Sequence, residues 1–493
     1  MKKILNILLI IIPFFCSAQK QGNIWYFGDH AGLDFNSGSP IPLTNGQTYS
    51  PDGYPIEGTA VISDSSGALL FYTNGMKIWN KNQQVMPNGD SLFGGYSSTQ
   101  SALIIPNPGS NRYFYIFTTD AFWPDSLKYG FRYSKVDMCL DNGLGDVMNE
   151  KKNIKILDTV CEKLTAVRHA NGVDYWVIVH KYYSDAFYSY HLSSAGIVDT
   201  VISHLGSRHP AAATYQDTWA AIGEMKASPD GSKLAIVNGN TGIYAIREYF
   251  NFDKSTGVVS NWVNLQTNTD YQNDYQYYGI SFSQDNSKLY ISCCLNNNGI
   301  FQFNLNAGGG NADSVRASMT KIAGLNWTWG LQLGTDGKIY VAGMDNQYLS
   351  VINNPNNLGL NCNFQDSAIY LNGKICSYGL PNFIDSYDYS NTIVNCDVDG
   401  ITEKTNKTKT TLGDAQPNPN SGSTQISYFL PDNISNAKII FTDMLGKVIE
   451  EQVLQSGYGL LNIDTQNLPS GIYSYTLIVD EKVIVTKKIM RNK

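Results

Sequence analysis

Apolar and polar residues alternate with period two along most of the chain, and the alternation restarts after recurring polar turns. Period two is the signature of a strand with one face covered. Three restarts are nearly superposable: Ser228-Pro-Asp-Gly-Ser-Lys-Leu-Ala-Ile236, Ser283-Gln-Asp-Asn-Ser-Lys-Leu-Tyr-Ile291 and Gly334-Thr-Asp-Gly-Lys-Ile-Tyr-Val341. Each sets Asp beside Gly or Asn, then Lys, then alternating apolar residues. Asp-Gly and Asp-Asn favour the tight turns that join antiparallel strands. Asp230 and Asp285 are 55 residues apart, and Asp285 and Asp336 are 51 apart. Residues 63–72, 107–116 and 170–178 carry weaker copies, and Trp329-Gly330 recurs as Tyr378-Gly379, which opens a seventh unit.

A supersecondary unit repeated at this spacing is a sheet stacked on its neighbours. About 370 residues, from 21 to 390, divide by seven into units of about 53. The orphan apolar strand Asn23-Ile-Trp-Tyr-Phe27 is placed to complete the unit begun at Tyr378, which removes an exposed edge. The expected fold is all-β: a seven-bladed β-propeller over 21–390, then a small C-terminal β-sandwich. Residues 391–413 turn polar, with few apolar anchors, and read as a linker. Six or seven short strands in the last 80 residues give the sandwich, over 414–493.

The first 18 residues stand apart. Lys2 and Lys3 precede the apolar run Ile4–Phe15, and Cys16-Ser17-Ala18 supplies small residues for cleavage after Ala18. This is a secretory signal, too short to span a bilayer. Phe15 before Cys16 disfavours lipoprotein processing. No other run reaches 18 apolar residues, so the exported chain is not membrane-spanning. Export permits disulfides. Seven cysteines remain after Cys16, and Cys362 and Cys376, close in sequence, are the first candidate pair; the adjacent Cys293 and Cys294 would be strained as a bridge.

Charged residues make up only 16% of the chain and the net charge is -7, which excludes a nucleic-acid partner that needs a basic face. Five of the six histidines fall at His169, His180, His191, His204 and His209, without His-x-His or His-Glu-x-x-His spacing. A metal site would have to be assembled in space, and no metal or cofactor is assigned. Asp230, Asp285 and Asp336 read as turn residues rather than calcium ligands, because each is followed by a turn residue and Lys. No nucleophile elbow, phosphate loop or dinucleotide fingerprint is present, and no catalytic residue is assigned. Tyr271, Tyr275, Tyr277, Tyr278, Trp327 and Trp329 cluster ahead of two inner strands. They suit either packing between blades or a wet recognition surface. Tyr278, Trp327 and Trp329 are the candidate binding residues, at the mouth of the central channel. Asp-Ser or Asp-Thr before an aliphatic occurs at 90, 125, 158, 199, 313 and 366, more often than average usage gives.

The last segment resembles the type A C-terminal sorting domain of the type IX secretion system of Bacteroidetes. The resemblance rests on Pro417-Asn418-Pro419, Tyr428-Phe-Leu-Pro431, Asp443-Met-Leu-Gly446-Lys447, Gly459, Ile463-Asp464, Leu468, Gly471-Ile-Tyr473 and Thr486-Lys487-Lys488-Ile-Met490. It implies that residues 414–493 engage the type IX machinery and that the protein is displayed on the cell surface or released. Trp25-Tyr-Phe-Gly28, Ala31-Gly-Leu-Asp-Phe35, Leu70-Phe-Tyr-Thr-Asn-Gly75 and Gly379-Leu-Pro-Asn-Phe383 are similar to the large secreted propeller-type proteins of the same bacteria. That resemblance carries no settled activity. The Asp-Ser/Thr triplets are similar to the O-glycosylation acceptor of that group, and equally suit turns entering strands. The expected function is a non-enzymatic binding or adhesion module for a glycan or protein. The alternative is a secreted enzyme acting on polysaccharide.

Overall fold

The structure is a computed structural model. It describes residues 20–49, 56–123, 126–209, 218–239, 244–267, 276–295, 299–325 and 327–386, and then 394, 396, 410–413, 415, 418–431, 434, 436–480 and 482–492. The signal segment, Tyr271, Tyr275 and most of the expected linker lie outside the described residues. Two compact units are formed, Met1–Asp397 and Val398–Lys493.

Among the described residues of the first unit, seven antiparallel sheets follow one another in chain order. The fifth is representative: Met225–Ala227, Lys233–Val237, Arg247–Phe252 and Val259–Asn264 pair in succession. Each recurring Asp turn joins the first and second strands of a sheet. The Asp230 carboxylate accepts from Ser232 N at 2.9 Å and Ser228 Oγ at 2.6 Å. Asp285 accepts from Ser287 N and Ser283 Oγ at 3.0 and 2.7 Å. The Asp side chain thus satisfies the turn's own amides, which is why this residue recurs. Neighbouring turns are also tied together, since Asp230 N donates to Asn286 Oδ1 at 3.0 Å.

Every seam between sheets carries aromatic side chains. In ring order the ring-centroid pairs are Tyr26–Tyr72 (4.5 Å), Phe71–Phe114 (5.5 Å), Phe131–Tyr190 (5.6 Å) and Phe187–Phe250 (4.9 Å). The Arg247 guanidinium then lies 5.1 Å from the Tyr277 ring centre, followed by Tyr278–Trp329 (4.8 Å) and Trp25–Tyr340 (5.3 Å). The last pair joins the seventh sheet to the first, so the sheets close into a β-propeller. Large flat side chains fill the wedge between twisted sheets at low entropic cost.

Closure uses both ends of the unit. Ile24–Phe27, Ala31–Asp34 and Ile41–Leu43 form the first sheet. Residues 375–383 return to it: Asp29 and Ile375 form an antiparallel bridge, and Thr59 and Pro381 a parallel one to the second sheet. Trp25, fully buried, packs 5.8 Å from Phe383. A Cβ on Gly379 would fall 1.8 Å from the Glu57 carbonyl oxygen, so the returning chain fits only without a side chain there.

The expected Cys362–Cys376 bridge is not formed; both are free and buried. The strand Phe364–Tyr370 runs between them, and seven residues at about 3.3 Å each set them at opposite ends of it. The disulfide instead joins Cys139 and Cys396, with Cα atoms 5.3 Å apart and a sequence separation of 257. It fastens the chain leaving the propeller to the third sheet, inside the segment expected to be a free linker.

The second unit stacks two sheets. One holds Thr411–Leu412, Ser423–Leu430 and Gly457–Asp464; the other holds Val448–Val453, Ala437–Asp443, Gly471–Val479 and Lys482–Arg491. Ile426, Ile439, Phe441, Ile463, Tyr475 and Leu477 fill the space between them. Among the described residues no helix is long and apolar enough to cross a membrane.

Candidate functional site

The innermost strands carry polar side chains that bond between non-adjacent sheets, which only groups at the centre of the ring can do. Tyr278, from the sixth sheet, donates its hydroxyl to Glu57 Oε2, just ahead of the second. Ser97 Oγ donates to the other Glu57 oxygen at 2.8 Å. Lys226, from the fifth sheet, donates to Gln332 Oε1 of the seventh at 2.5 Å, and Gln332 Nε2 donates to Asp385 Oδ1 at 2.9 Å. Gln100 Nε2 reaches Met225 O at 3.0 Å, and Asn382 Nδ2 reaches Leu164 O at 2.9 Å. Glu162 accepts from Thr99 N and Phe122 N at 2.9 and 2.7 Å.

Burial dominates the chemistry of this axis. It holds Glu57 well above the usual carboxylate range, and the neighbouring Glu162 charge adds to the effect. Glu162 and Asp385 are raised by burial as well. Glu224 is pushed up to about 7 by burial, with the Lys226 charge pulling the other way. Lys163 is brought down to about 8, again by burial. Glu57, Glu162 and Glu224 are all buried, and their oxygens are engaged by protein donors. These groups tie the sheets together across the centre. The sequence reading missed them. Their signal was the dipeptide already noted at Trp329-Gly330 and Tyr378-Gly379, which also stands at Glu57-Gly58 and Tyr278-Gly279. Each glycine lies against the backbone of another inner strand; a Cβ on Gly279 would meet Trp329 O at 2.3 Å.

The three candidate binding residues separate. Tyr278 and Trp329 come together but are buried, at 1% and 5% exposure, so they do not form open lips of a channel. Trp329 stacks at 4.0 Å on the half-buried Tyr378 and meets Tyr278 edge-on. The reason is the ring geometry: residues that begin inner strands converge and cover one another. Trp327 is different. It is 47% exposed and holds a left-handed backbone, φ 62°. It borders a cleft of about 200 Å³ with Asn346, Tyr348, Ser350 and Asp366. Ser350 Oγ donates to Asp366 Oδ1 at 2.8 Å, and the Tyr348 ring lies tilted 5.0 Å from that of Tyr370.

Exposed aromatics are concentrated around this cleft's side of the ring. In antiparallel sheets the start of the first strand, the end of the second, the start of the third and the end of the fourth share one edge. Tyr49, Trp219 and Trp327 lie in connections entering an inner strand, Trp123 and Tyr183 follow second strands, and Tyr348 and Tyr370 begin a third and end a fourth. These seven, with Trp262 inside a strand, are the exposed tyrosines and tryptophans of the described residues. The opposite edge carries the Asp turns.

The histidines of the fourth sheet fall into groups. His169 and His191 stack at 4.7 Å beside Trp176, and His191 Nε2 meets Asp174 at 3.0 Å. His204 pairs with Asp185 on the surface. His180 and His209 are buried beside Cys161. Of the Asp-Ser/Thr triplets, Ser91, Ser126, Thr159 and Ser367 hold a left-handed backbone, with φ from 44° to 58°; Ser91, Ser126 and Ser367 are exposed, Ser367 within the strand Phe364–Tyr370.

In the second unit the residues that carried the sorting-domain resemblance occupy structural corners. Asp443 Oδ1 accepts from Leu445 N and Lys447 N, each at 2.9 Å, closing a hairpin turn in which Gly446 takes φ 84°. Asn418, before Pro419, exchanges bonds with the last strand: its Nδ2 donates to Lys488 O at 3.0 Å and its Oδ1 accepts from Met490 N at 2.8 Å. Pro417 lies outside the described residues. Tyr473, two residues after Gly471, donates to Pro469 O at 2.6 Å and stacks on Phe441, while Lys487 pairs across from Tyr475. Residues 415–492 match the family described as the secretion system C-terminal sorting domain. The second unit belongs to that family. The sorting domain makes the protein a cargo of the type IX secretion system, sent to the cell surface or beyond.

No curated protein matches the chain. Among solved structures, a candidate 6-phosphogluconolactonase of Bacteroides uniformis is similar at 11% identity and TM-score 0.45, over 72% of this chain and 98% of its own. The periplasmic gluconolactonase PpgL of Pseudomonas aeruginosa is similar at 10% identity and TM-score 0.34, over 77% and 97%. The Dos1 propeller is similar at 12% identity and TM-score 0.33, over 72% and 79%. At these values none of them transfers an activity to this chain.

Proposed function

We propose that the propeller is a surface-displayed binding module, without turnover, whose ligand is a glycan held at the Trp327 cleft. The observation that carries this reading is the exposed Trp327 in a left-handed backbone. A bulky residue there costs about 1–2 kcal/mol, yet the side chain stands nearly half in solvent. The adjoining Asn346, Ser350 and Asp366 offer amide, hydroxyl and carboxylate groups beside an aromatic face. That combination suits a sugar ring, whose C–H face packs on an aromatic and whose hydroxyls bond at its edge. A glycan array and a turnover screen on the full secreted protein test the reading. Saturable binding lost in Trp327→Gly, with no product formed, is the expected result. Binding to protein but not glycan would replace the ligand class. The raised carboxyls Glu57 and Glu162 favour a second reading, a polysaccharide-cleaving enzyme. Reproducible cleavage lost in Glu57→Gln or Glu162→Gln would establish it.

A further inference from the structure

At the aromatic edge of the fourth sheet, three strand ends bring Cys161, His180 and His209 together. Cys161 opens Val160–Arg168, His180 closes Tyr175–Lys181 and His209 ends Gly196–His209. All three are buried, and their donor atoms lie within 4.8 Å of one another. Cys161 Sγ stands 3.9 Å from His180 Nδ1, and the two imidazole rings are 4.3 Å apart. The surroundings are apolar: Leu127, Tyr182, Ala220 and Ala221 pack around Cys161. In such a pocket a polar nitrogen without a partner is costly. His209 has one. Its Nδ1 meets the Ala220 carbonyl at 3.3 Å, which can only accept, so the proton sits on Nδ1 and the lone pair on Nε2. Nε2 is buried and has no hydrogen-bond partner among the described residues.

We propose that Cys161, His180 and His209 form a structural site for a monovalent thiophilic cation of the copper(I) class. Three donors about a common centre, at metal–sulfur and metal–nitrogen distances of about 2.3 and 2.0 Å, stand about 3.5–4 Å apart. Donor atoms within 4.8 Å of one another need at most about 1.3 Å of closure to reach that spacing. A carbonyl-bound Nδ1–H is the usual outer partner of a ligating imidazole. The choice of ion follows from charge and coordination number. Zinc favours a fourth ligand, and among the described residues no carboxylate joins the three. Lys163 is buried nearby, donating to Ala221 O and Ile222 O at 2.8 and 2.6 Å. A thiolate with a monovalent ion is neutral, whereas a divalent ion leaves a net positive charge in an apolar pocket. Soft thiolate ligation selects copper(I) as well. Binding breaks the Cys161 S–H bond, forms S–Cu and releases the proton to solvent, with no change of oxidation state.

The test uses the full secreted protein and copper(I) supplied anaerobically against bicinchoninate. One equivalent should be retained, and its X-ray absorption should show one sulfur and two nitrogen neighbours. Cys161→Ala and His209→Gln should each weaken binding more than about 100-fold, the upper range for losing even an outer partner. Cys294→Ala, at a buried cysteine of the sixth sheet outside any disulfide, should leave it unchanged. If the ligand variants fail to fold, the wild-type absorption spectrum decides, and a first shell lacking either sulfur or nitrogen overturns the site. Retention undiminished in Cys161→Ala overturns it too, as does zinc(II) displacing copper(I) at equal concentration.

Discussion

Trp327 and Trp329 are two residues apart at the mouth of the same inner strand, and the fold treats them oppositely. Trp329 is buried between Tyr278 and Tyr378 in the seam that joins the sixth sheet, the seventh and the returning chain. Trp327 stands in solvent with a left-handed backbone at the edge of a cleft. Residue type is the same for both, and their positions differ by two. What differs is distance from the ring's centre, where seven strand starts converge and every large side chain finds a neighbour. An aromatic at the centre holds the ring together, and one just outside it is free to meet a ligand. The carboxylates divide in the same way: Glu57, Glu162 and Glu224 are buried and bonded, whereas Asp366 lines the cleft.

The largest effect should come from removing the closure on which the central position depends. Deleting residues 21–36 takes out two strands of the first sheet, with Trp25 and Phe35. It should abolish cooperative unfolding in urea, because two sheet edges and an aromatic seam are exposed together. A sharp transition at the wild-type midpoint would show that Trp329 does not owe its burial to a closed ring. Trp329→Ala comes next, with a loss of about 3–5 kcal/mol in the same measurement, the usual cost of truncating a buried tryptophan.

Glu224 sharpens the contrast through pH. Its folded pKa of about 7 lies above the ordinary 4.5, so the folded protein holds the proton more tightly than the unfolded chain. The protonated carboxyl's stability is full below about pH 4.5 and falls as pH rises to about 7, by on the order of 3 kcal/mol. Glu224→Gln should flatten the stability profile across that window relative to wild type. Parallel profiles for the two proteins would remove Glu224 from the buried axis. The smallest effect on stability, and the most discriminating, is expected for Trp327→Gly. Relief of about 1–2 kcal/mol of left-handed strain offsets the roughly 0.5–1 kcal/mol entropic penalty of glycine. Stability should be unchanged or up by as much as about 1 kcal/mol, while glycan binding is lost. A destabilisation resembling that of Trp329→Ala would erase the distinction between the two residues.

The repeat was legible because its cause is local. Asp230 and Asp285 bond to serines and amides two residues away, so the turn is written in a few consecutive residues wherever it occurs. The sorting domain was legible for a related reason: its motif residues sit at turns and strand ends whose geometry demands Asp, Gly or Pro. For the candidate trio, the positions at inner-strand starts were legible but their exposure was not. Alternation identifies an inner strand but does not say how near the centre each residue falls, and Tyr278 and Trp329 were placed too far out. Glu57-Gly58 and Tyr278-Gly279 were readable as copies of the Trp329-Gly330 pair, since glycine there answers a backbone contact repeated around the ring.

What the sequence determined alone is the set of interactions closed within a few residues: strand period, Asp turns, the polar break after the repeats and the motif corners of the last unit. Tertiary structure decided everything that depends on which distant strands become neighbours. It paired Cys139 with Cys396 across 257 residues and kept Cys362 from Cys376 by the length of one strand. It gathered Cys161, His180 and His209 from three strand ends, and it buried one tryptophan while exposing another two residues away. The physical reason is common to all of these: burial and proximity are properties of the closed ring, set by long-range packing that no local spacing encodes.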